Sequence, residues 1–320
     1  MRLPSTQREI EQLQTQLEQA PSEIAAMKTS KFWKLRTQWF QLKKWLGFNI
    51  KSPYHHSSKC ALCAATGNKI IKNKLIRKML KELLEKSPGF ATEIALQEHE
   101  IKRVRELIEN QWLGRIKQVI PEQTELFAQQ GIAQYHQLCH LLDHSSVWGR
   151  EVRMLPPSAV TEIRQMSLFQ ALESEWGLLG ISDEEYPGKE IMHWRLVRPN
   201  QPSDIGPIHA DKWFWDLNNW PVPANTHRVK VWIAIYTEPG LSGLRVVPDS
   251  QQKTWQYQPA KRHGVLKPLF DCKENQISPQ LVNTRSGEAI IFHDQLLHGG
   301  AINRGTLTRV SLEFTLFVSN

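Results

Sequence analysis

The C-terminal half of the chain is dominated by short segments rich in Val, Ile, Trp and Phe, which Pro, Gly, Asn and Asp separate. The last of them, 309–318, alternates between apolar residues and polar or charged ones, a period of two that is typical of a strand with two different faces. No helical crossover separates most of these segments, and parallel strands require one. The pattern therefore predicts an antiparallel jelly roll or sandwich. The predicted strands are 191–197, 228–236, 243–247, 289–292 and 309–318.

The residues before Pro156-Pro157 follow a helical period instead. Their apolar stripes are Ile71, Leu75, Met79, Leu83 and Leu84, and then Ile101, Val104, Leu107, Ile108 and Trp112. A helical stretch from Val160 to Trp176 leads into the strands. We therefore predict an α+β protein with basic, coiled-coil-like helices in 1–50, a linker and helical region in 51–155, and a jelly-roll domain in 156–320. His136, His140 and His144 are four residues apart, and we interpret them as one partly exposed helix face.

The positive charge of the chain is concentrated in its N-terminal part. Residues 1–120 contain 22 Lys and Arg against 11 Asp and Glu, whereas 121–320 contain 18 against 21. Within the basic part, residues 22–48 combine an aromatic, apolar stripe with lysines, which suits a helix lying on anionic lipid. Pairing with a second copy, giving a homo-oligomer, or docking on the body of the protein are the alternatives. Nucleic acid is not expected as a partner.

Cysteine usage and hydropathy predict a reducing, cytoplasmic setting, at a membrane face if residues 22–48 bind lipid. Four cysteines in 320 residues do not make a disulfide framework, and the N-terminus has no apolar signal-peptide core. No stretch approaches the roughly 18 apolar residues of a spanning helix. His55, Cys60 and Cys63 offer zinc ligands, but a single Cys-x-x-Cys is a weak signal and a solvated linker is the alternative.

The segment Pro207–Asp211 carries the first sign of chemistry. His209 and Asp211 are two residues apart, so in an extended segment both side chains project to the same face and reach one metal ion. Two histidines and one carboxylate, with other positions left open, are the ligand set of non-haem Fe(II) oxygenases. A His-x-Asp pair alone is common by chance, so a second histidine from a distant strand is required.

A suitable second histidine lies near the C-terminus. Residues 287–300 are predicted to form a turn, a buried strand and then His298 beside two glycines. His293 is the alternative ligand. Arg309 follows His298 by eleven residues, and Ser311 lies on the same face of the final strand. A buried arginine with a neighbouring hydroxyl is suited to a bidentate grip on a carboxylate.

Residues 191–318 resemble the phytanoyl-CoA dioxygenase-like family of Fe(II)/2-oxoglutarate oxygenases. The resemblance rests on His209, Asp211, His298 and Arg309, and on a segment, 243–250, that is similar to the family's Gly-x-Leu-x-x-x-Pro-Gly-Ser-His pattern. The chain departs from that pattern with Asp249 in place of glycine and with glutamine where histidine is usual. Gly300 stands where many relatives carry a serine. These differences weaken the inference about substrate.

The resemblance implies a double-stranded β-helix and a dioxygenase that hydroxylates a small molecule. Fe(II) is then held by His209, Asp211 and His298, while Arg309 and Ser311 hold the distal carboxylate of 2-oxoglutarate, and O2 is the second cosubstrate. An inactive oxygenase-fold protein that binds a membrane or a protein partner is one alternative. A metal-dependent, cupin-like enzyme of another class is a second one.

Cationic and aromatic residues flank the predicted metal ligands in the sequence and are the candidates for contact with substrate. Such a combination suits an anionic or sugar-bearing molecule, and we expect a sugar or glycolipid-type intermediate. The candidate residues are Arg195, Arg198, Lys212, Trp213 and Trp215.

Overall fold

The computed structural model describes residues 82, 84–177, 180–182, 189–262, 265–270, 272 and 274–319. The predicted coiled-coil-like helix, the lipid-binding helix of 22–48 and the zinc ligands His55, Cys60 and Cys63 lie outside this part of the chain. They stay predictions, as do the three domain boundaries. Within the described ranges, no helix is both long enough and apolar enough to cross a membrane.

Helices make up most of the first part of the described chain. The longest, α1, has a buried stripe at a spacing of three and four residues, from Ile101 through Ile108 to Ile116, as its sequence pattern predicts. The helices are α1 (Glu98–Val119), α2 (Thr124–Gln130), α3 (Tyr135–Leu138), α4 (His144–Val147), α5 (Pro157–Arg164), α6 (Ser167–Trp176), α7 (Asp211–Asn218) and α8 (Glu274–Ile277).

All pairings between the named strands are antiparallel. The large sheet has the order β1-β9-β4-β11-β2, with β3 also paired to β11, and a second sheet has the order β10-β5-β8. The strands are β1 (Phe90–Ala95), β2 (Gly180–Ser182), β3 (His193–Val197), β4 (Thr226–Tyr236), β5 (Leu244–Val246), β6 (Gln258–Arg262), β7 (Val265–Leu269), β8 (Gln280–Leu281), β9 (Glu288–His293), β10 (His298–Gly300) and β11 (Arg309–Ser319).

The large sheet has two different faces, as the alternation in β11 predicts. One face packs on the helices: Leu312 and Phe314 share a core with Ile108 of α1 and Phe169 of α6. The other face looks onto the small sheet, where Trp232 of β4 packs with apolar residues of β5 and β9. The predicted α+β class with antiparallel sheets is therefore confirmed.

Two details of the helical prediction are wrong. Phe90–Ala95 is strand β1, which pairs with β9 at the end of the large sheet. His136, His140 and His144 do not share one helix, because the chain changes direction between α3 and α4 and divides them among separate short turns. The segment that begins at Asp211 forms helix α7, an element for which the sequence pattern made no prediction.

Candidate metal centre

The structure brings His209, Asp211 and His298 together. His209 and His298 form an isolated antiparallel bridge in which each backbone N–H donates to the other's carbonyl, at 3.0 and 2.9 Å. The Asp211 carboxylate lies 3.6 Å from the Nε2 atom of each histidine. One ligand atom from each of the three residues lies within 4.8 Å of the other two. His293 is not part of this group, so the expected choice of His298 agrees with the geometry.

Backbone elements set these positions. β10 pairs with β5, with His298 opposite Val246. The Ser250 hydroxyl accepts a hydrogen bond of 2.8 Å from the N–H of Leu297, the residue before His298. On the other side, the extended chain at His209 ends at Ala210, and Asp211 is the first residue of α7. A carboxylate at a helix N-terminus is favoured by the helix dipole.

Both imidazoles are held in the same tautomer. The Nδ1 atom of His209 lies 2.9 Å from the Pro207 carbonyl, and that of His298 lies 2.9 Å from the Leu296 carbonyl. Because a carbonyl oxygen only accepts hydrogen bonds, each Nδ1 carries the proton and donates it. Each Nε2 is then left with its lone pair, which is the arrangement of metal-binding histidines.

The electrostatics of the site favour a neutral imidazole and an ionised carboxylate. Burial lowers the pKa of His298 to about 4, although the charge of Asp211 acts in the opposite direction. Burial by itself raises the pKa of Asp211, but Lys230, at 3.7 Å, and the two histidines outweigh it and hold that pKa well below its usual range. A metal ion requires these protonation states of its ligands.

The donor set fits a divalent metal. The Oδ2 atom of Asp211 is buried and accepts no hydrogen bond from the described residues, which is costly for a carboxylate unless another partner binds it. Two imidazole nitrogens and one carboxylate, without a thiolate, suit iron(II) better than a structural zinc site, which is typically closed by four protein ligands.

Arg309 is buried on β11, with 2% of its surface exposed. Its Nη1 atom donates to the Gly243 carbonyl at 2.5 Å and to the Ala301 carbonyl at 3.3 Å. Its Nε atom and the Ser311 hydroxyl are buried and have no hydrogen-bond partner among the described residues. Burial lowers the pKa of Arg309 to about 10, so the guanidinium stays charged at neutral pH. The unpartnered Nε–H of this charged guanidinium and the unpartnered hydroxyl suit a carboxylate ligand.

Gly300 makes room for this guanidinium. A Cβ atom at position 300 would lie 3.3 Å from Nη2 of Arg309 and 3.2 Å from Cγ2 of Ile205. A serine here, as in many relatives of the family that the sequence resembles, requires both neighbours to move. The close approach of Arg309 and Ile205 therefore explains why glycine, and not serine, occupies position 300.

The departure at Asp249 has a backbone explanation. Asp249 has a φ of 64°, in the left-handed region that favours glycine and that aspartate tolerates better than most residues. Gln251, near the end of the same turn, is buried and donates from Nε2 to the Lys86 carbonyl at 2.5 Å. The turn therefore forms without the glycine and histidine of the family pattern. Its Gln251 side chain holds the segment before β1 through the hydrogen bond to Lys86.

The five substrate candidates lie in different surroundings. Arg195 and Arg198 line a cavity of about 490 Å³. Lys212 forms an ion pair with Asp216 at 2.8 Å on the surface of α7. Trp213 is buried and stacks on Tyr257, with ring centroids 4.7 Å apart, and Trp215 is buried beneath Arg228. The two tryptophans therefore have packing roles, and contact of the five with substrate stays a prediction.

The sequence reasoning missed two charged side chains near the site. Lys230 lies in the apolar run of β4 and points toward Asp211, and a lysine in such a run was a usable signal. Glu313 follows Ser311 on the same face of β11, and its Oε1 lies 2.6 Å from Nε of Arg195. Burial raises the pKa of Glu313, but Arg195, Lys230 and His193 together lower it to about 2.

The fold and the site agree with a family match. Residues 171–311 match the family model described as phytanoyl-CoA dioxygenase (PhyH). This stretch includes His209, Asp211, His298, Arg309 and Ser311. The chain therefore carries a domain of the PhyH family of Fe(II)/2-oxoglutarate oxygenases.

Several solved structures show a distant similarity. The chain is 12% identical to ThoJ, described as a non-heme monooxygenase, with 75% of this chain and 77% of that chain covered and a TM-score of 0.47. It is 13% identical to AviO1 from Streptomyces viridochromogenes Tue57, with 76% of this chain and 95% of that chain covered and a TM-score of 0.41. It is 12% identical to SnoK, described as a non-heme alpha ketoglutarate dependent carbocyclase, with 75% of this chain and 84% of that chain covered and a TM-score of 0.44. No curated protein sequence matches the chain.

Proposed function

We propose that this protein is an Fe(II)- and 2-oxoglutarate-dependent dioxygenase that hydroxylates a small molecule on a jelly-roll domain. The observation that carries the proposal is the group of two histidines and one carboxylate, whose buried Oδ2 atom accepts no hydrogen bond from the described residues. The two antiparallel sheets that face each other across Trp232 support the jelly-roll topology implied by the family domain.

His209, Asp211 and His298 would hold Fe(II). When bound, iron and 2-oxoglutarate supply the oxidising chemistry that couples decarboxylation of the keto acid to hydroxylation by O2. The chain contributes orientation: the carbonyls of Pro207 and Leu296 accept from the Nδ1 atoms, so the lone pair of each neutral ring lies on Nε2. The ammonium group of Lys230, 3.7 Å from Oδ2 of Asp211, partly balances the negative charge of that carboxylate.

Arg309 and Ser311 would bind the distal carboxylate of 2-oxoglutarate. The guanidinium is already fixed by the carbonyls of Gly243 and Ala301, so little side-chain freedom is lost when the cosubstrate binds. The Nε atom of Arg309 and the Ser311 hydroxyl supply the donors that lack partners. Because both residues are buried, water is excluded from this end of the cosubstrate.

The proposed substrate is a small molecule, of the sugar or glycolipid-intermediate type. Arg195 and Arg198 support an anionic or polar substrate, since they line one cavity beside β3. Roles for Lys212, Trp213 and Trp215 in contacting it belong to the same proposal.

An anaerobic titration with Fe(II) and 2-oxoglutarate tests the proposal. We expect the weak visible charge-transfer band of the iron chelate of 2-oxoglutarate to develop, and His209→Ala to abolish it. His293→Ala is the matched control, because His293 is a nearby histidine outside the metal group, and it should keep the band. Arg309→Lys should keep iron binding but weaken binding of 2-oxoglutarate.

Turnover separates an enzyme from an inactive relative. Succinate formation from 2-oxoglutarate, followed with sugar and lipid extracts, should depend on His209 and on O2. A protein that develops no band and forms no succinate with any extract is a binding protein on an oxygenase fold. A metal-bound protein that turns over substrate without 2-oxoglutarate belongs to another class of cupin-like enzyme.

A further inference from the structure

A cavity of about 490 Å³ lies beside β3, the strand that pairs with β11 through Arg195 and Ser311. Residues of the segments 139–153 and 195–204 line it, and none of the proposed metal ligands does. Its volume is within the range of roughly 300–1,000 Å³ that is typical of small-molecule sites. Three arginines line it, Arg153, Arg195 and Arg198, and they differ in how their charges are balanced.

Two of these arginines have carboxylate partners. Arg198 donates to both oxygens of Asp204, at 2.7 Å from Nη2 and 2.9 Å from Nε. Arg195 is paired with Glu313, with 2.6 Å between Nε and Oε1. Their positive charges are thus largely balanced within the protein.

The third, Arg153, has no carboxylate within ion-pair distance in the part of the chain that the structure describes. Its Nε and Nη1 atoms donate to the carbonyls of Trp148 and Trp194, at 3.0 and 3.1 Å. These bonds fix the guanidinium in place but do not neutralise it. Burial lowers its pKa to about 10, with Arg195 acting in the same direction and the more distant Glu313 in the opposite one, so it is still charged at neutral pH. Arg153 is half-buried, and a charge that has lost part of its water is costly without a counter-ion.

The carboxylates that line the cavity are occupied elsewhere. Asp204 is held by Arg198 and lies 3.5 Å from Nε2 of His144. Nδ1 of His144 lies 2.9 Å from the Tyr135 hydroxyl, which accepts a hydrogen bond from Trp148 Nε1. Asp143 caps α4 by accepting from Ser145 N at 3.0 Å.

We propose that this cavity is a binding site for a small molecule that carries an oxyanion group, held by Arg153 with Arg195 and Arg198 beside it. A carboxylate, a phosphate ester and a sulfate ester all present the oxygens that a guanidinium binds in a fork. Ser145, Ser203 and Trp148 offer hydroxyls and an apolar wall to the rest of the molecule. The inference rests on the proposed function in that Arg195 and Arg198 of this cavity are its substrate candidates, and Arg309, proposed to hold 2-oxoglutarate, does not line the cavity.

Calorimetric titration of the intact protein with inorganic phosphate, sulfate and acetate, in chloride buffer at constant ionic strength, tests this site. We expect at least one of them to bind, and the tightest of them gives the oxyanion class. Arg153→Gln should weaken that binding by about tenfold or more, as expected for a charge-assisted hydrogen bond. Arg115→Gln is the matched control, because Arg115 also donates to a backbone carbonyl, that of Val147, and does not line the cavity.

Two further variants keep the test decisive if Arg153→Gln does not fold. Ser203→Trp fills the cavity from an exposed position and should abolish binding. Asp143→Asn keeps a good helix cap but removes a negative charge from the cavity lining, so it should tighten binding severalfold. Arg309→Lys should leave it unchanged. Absence of binding by all three anions, or binding that Ser203→Trp and Asp143→Asn leave unaltered, overturns the proposal.

Discussion

Gly300 decides how closely β10 approaches the guanidinium of Arg309. We predict that Gly300→Ser lowers the affinity for 2-oxoglutarate by roughly tenfold, because overpacking typically costs about 1–3 kcal/mol and here it displaces Arg309, the proposed partner of the cosubstrate. The affinity can be measured from the charge-transfer band. Gly206→Ala is the control, since a Cβ atom there meets nothing within 4 Å. Equal affinities of wild type and Gly300→Ser contradict the role given to Arg309.

Asp249 combines a left-handed backbone with a buried oxygen, Oδ1, that lacks a hydrogen-bond partner. We predict that Asp249→Gly stabilises the protein by about 1 kcal/mol, because glycine adopts this conformation without strain and removes the unsatisfied oxygen. Urea unfolding measures the difference. Asp249→Ala keeps the strained backbone, so it should be less stable than Asp249→Gly, and the reverse order contradicts this account.

At the scale of single residues, the sequence predicted the proposed metal ligands. His209, Asp211 and His298 were predicted from spacing and resemblance, and they do meet within one group. Lys230 was not predicted, because a contact between β4 and the start of α7 joins residues that no local pattern relates.

Among the elements, α1 and α6 are joined at their N-termini by one carboxylate. Glu100 accepts from Gln97 N at 2.8 Å and from the N–H and hydroxyl of Ser167 at 2.6 and 2.7 Å. Glu100→Gln should lower the free energy of unfolding by about 1–3 kcal/mol, as expected for hydrogen bonds to a charged group. Glu106→Gln, an exposed change on the same helix, should have little effect.

The same carboxylate predicts a pH dependence. Burial raises the pKa of Glu100, but the hydrogen bonds from Ser167 and Gln97 outweigh it, and the pKa in the folded protein is lowered. Its stabilising effect is therefore complete above the ordinary glutamate pKa and is lost as pH falls through the folded value. The difference in urea midpoint between wild type and Glu100→Gln should shrink in acid. A difference that grows on acidification contradicts the assignment.

Element types were predicted best where the pattern was long. The alternation in β11 and the stripe of α1 correspond to observed elements. β1 was missed because its six residues carry no clear period, and pairing with β9 decides its conformation. α7 was not predicted, because the burial of its tryptophans on a short helix beside β7 and β11 depends on tertiary packing.

For the molecule as a whole, the membrane prediction concerns residues outside the described ranges. If residues 22–48 bind anionic lipid, replacing Lys28, Lys31, Lys34, Arg36, Lys43 and Lys44 by glutamine should reduce sedimentation of the full chain with phosphatidylserine vesicles by several-fold. Neutral vesicles are the control. Equal sedimentation of both proteins with anionic vesicles contradicts the lipid role and leaves self-association, which a measurement of oligomeric state then tests.

The sequence by itself indicated a PhyH-type domain and predicted the residues that are proposed to bind iron and 2-oxoglutarate. It could do so because strand alternation is a local pattern, because a metal needs particular side chains, and because the spacing from His298 to Arg309 resembles that of a known family. The tertiary structure alone decided the proton positions on both histidines, the place of Lys230 and the unpaired charge of Arg153. These depend on distances between segments far apart in the chain, and such distances exist only after the sheets and helices have packed.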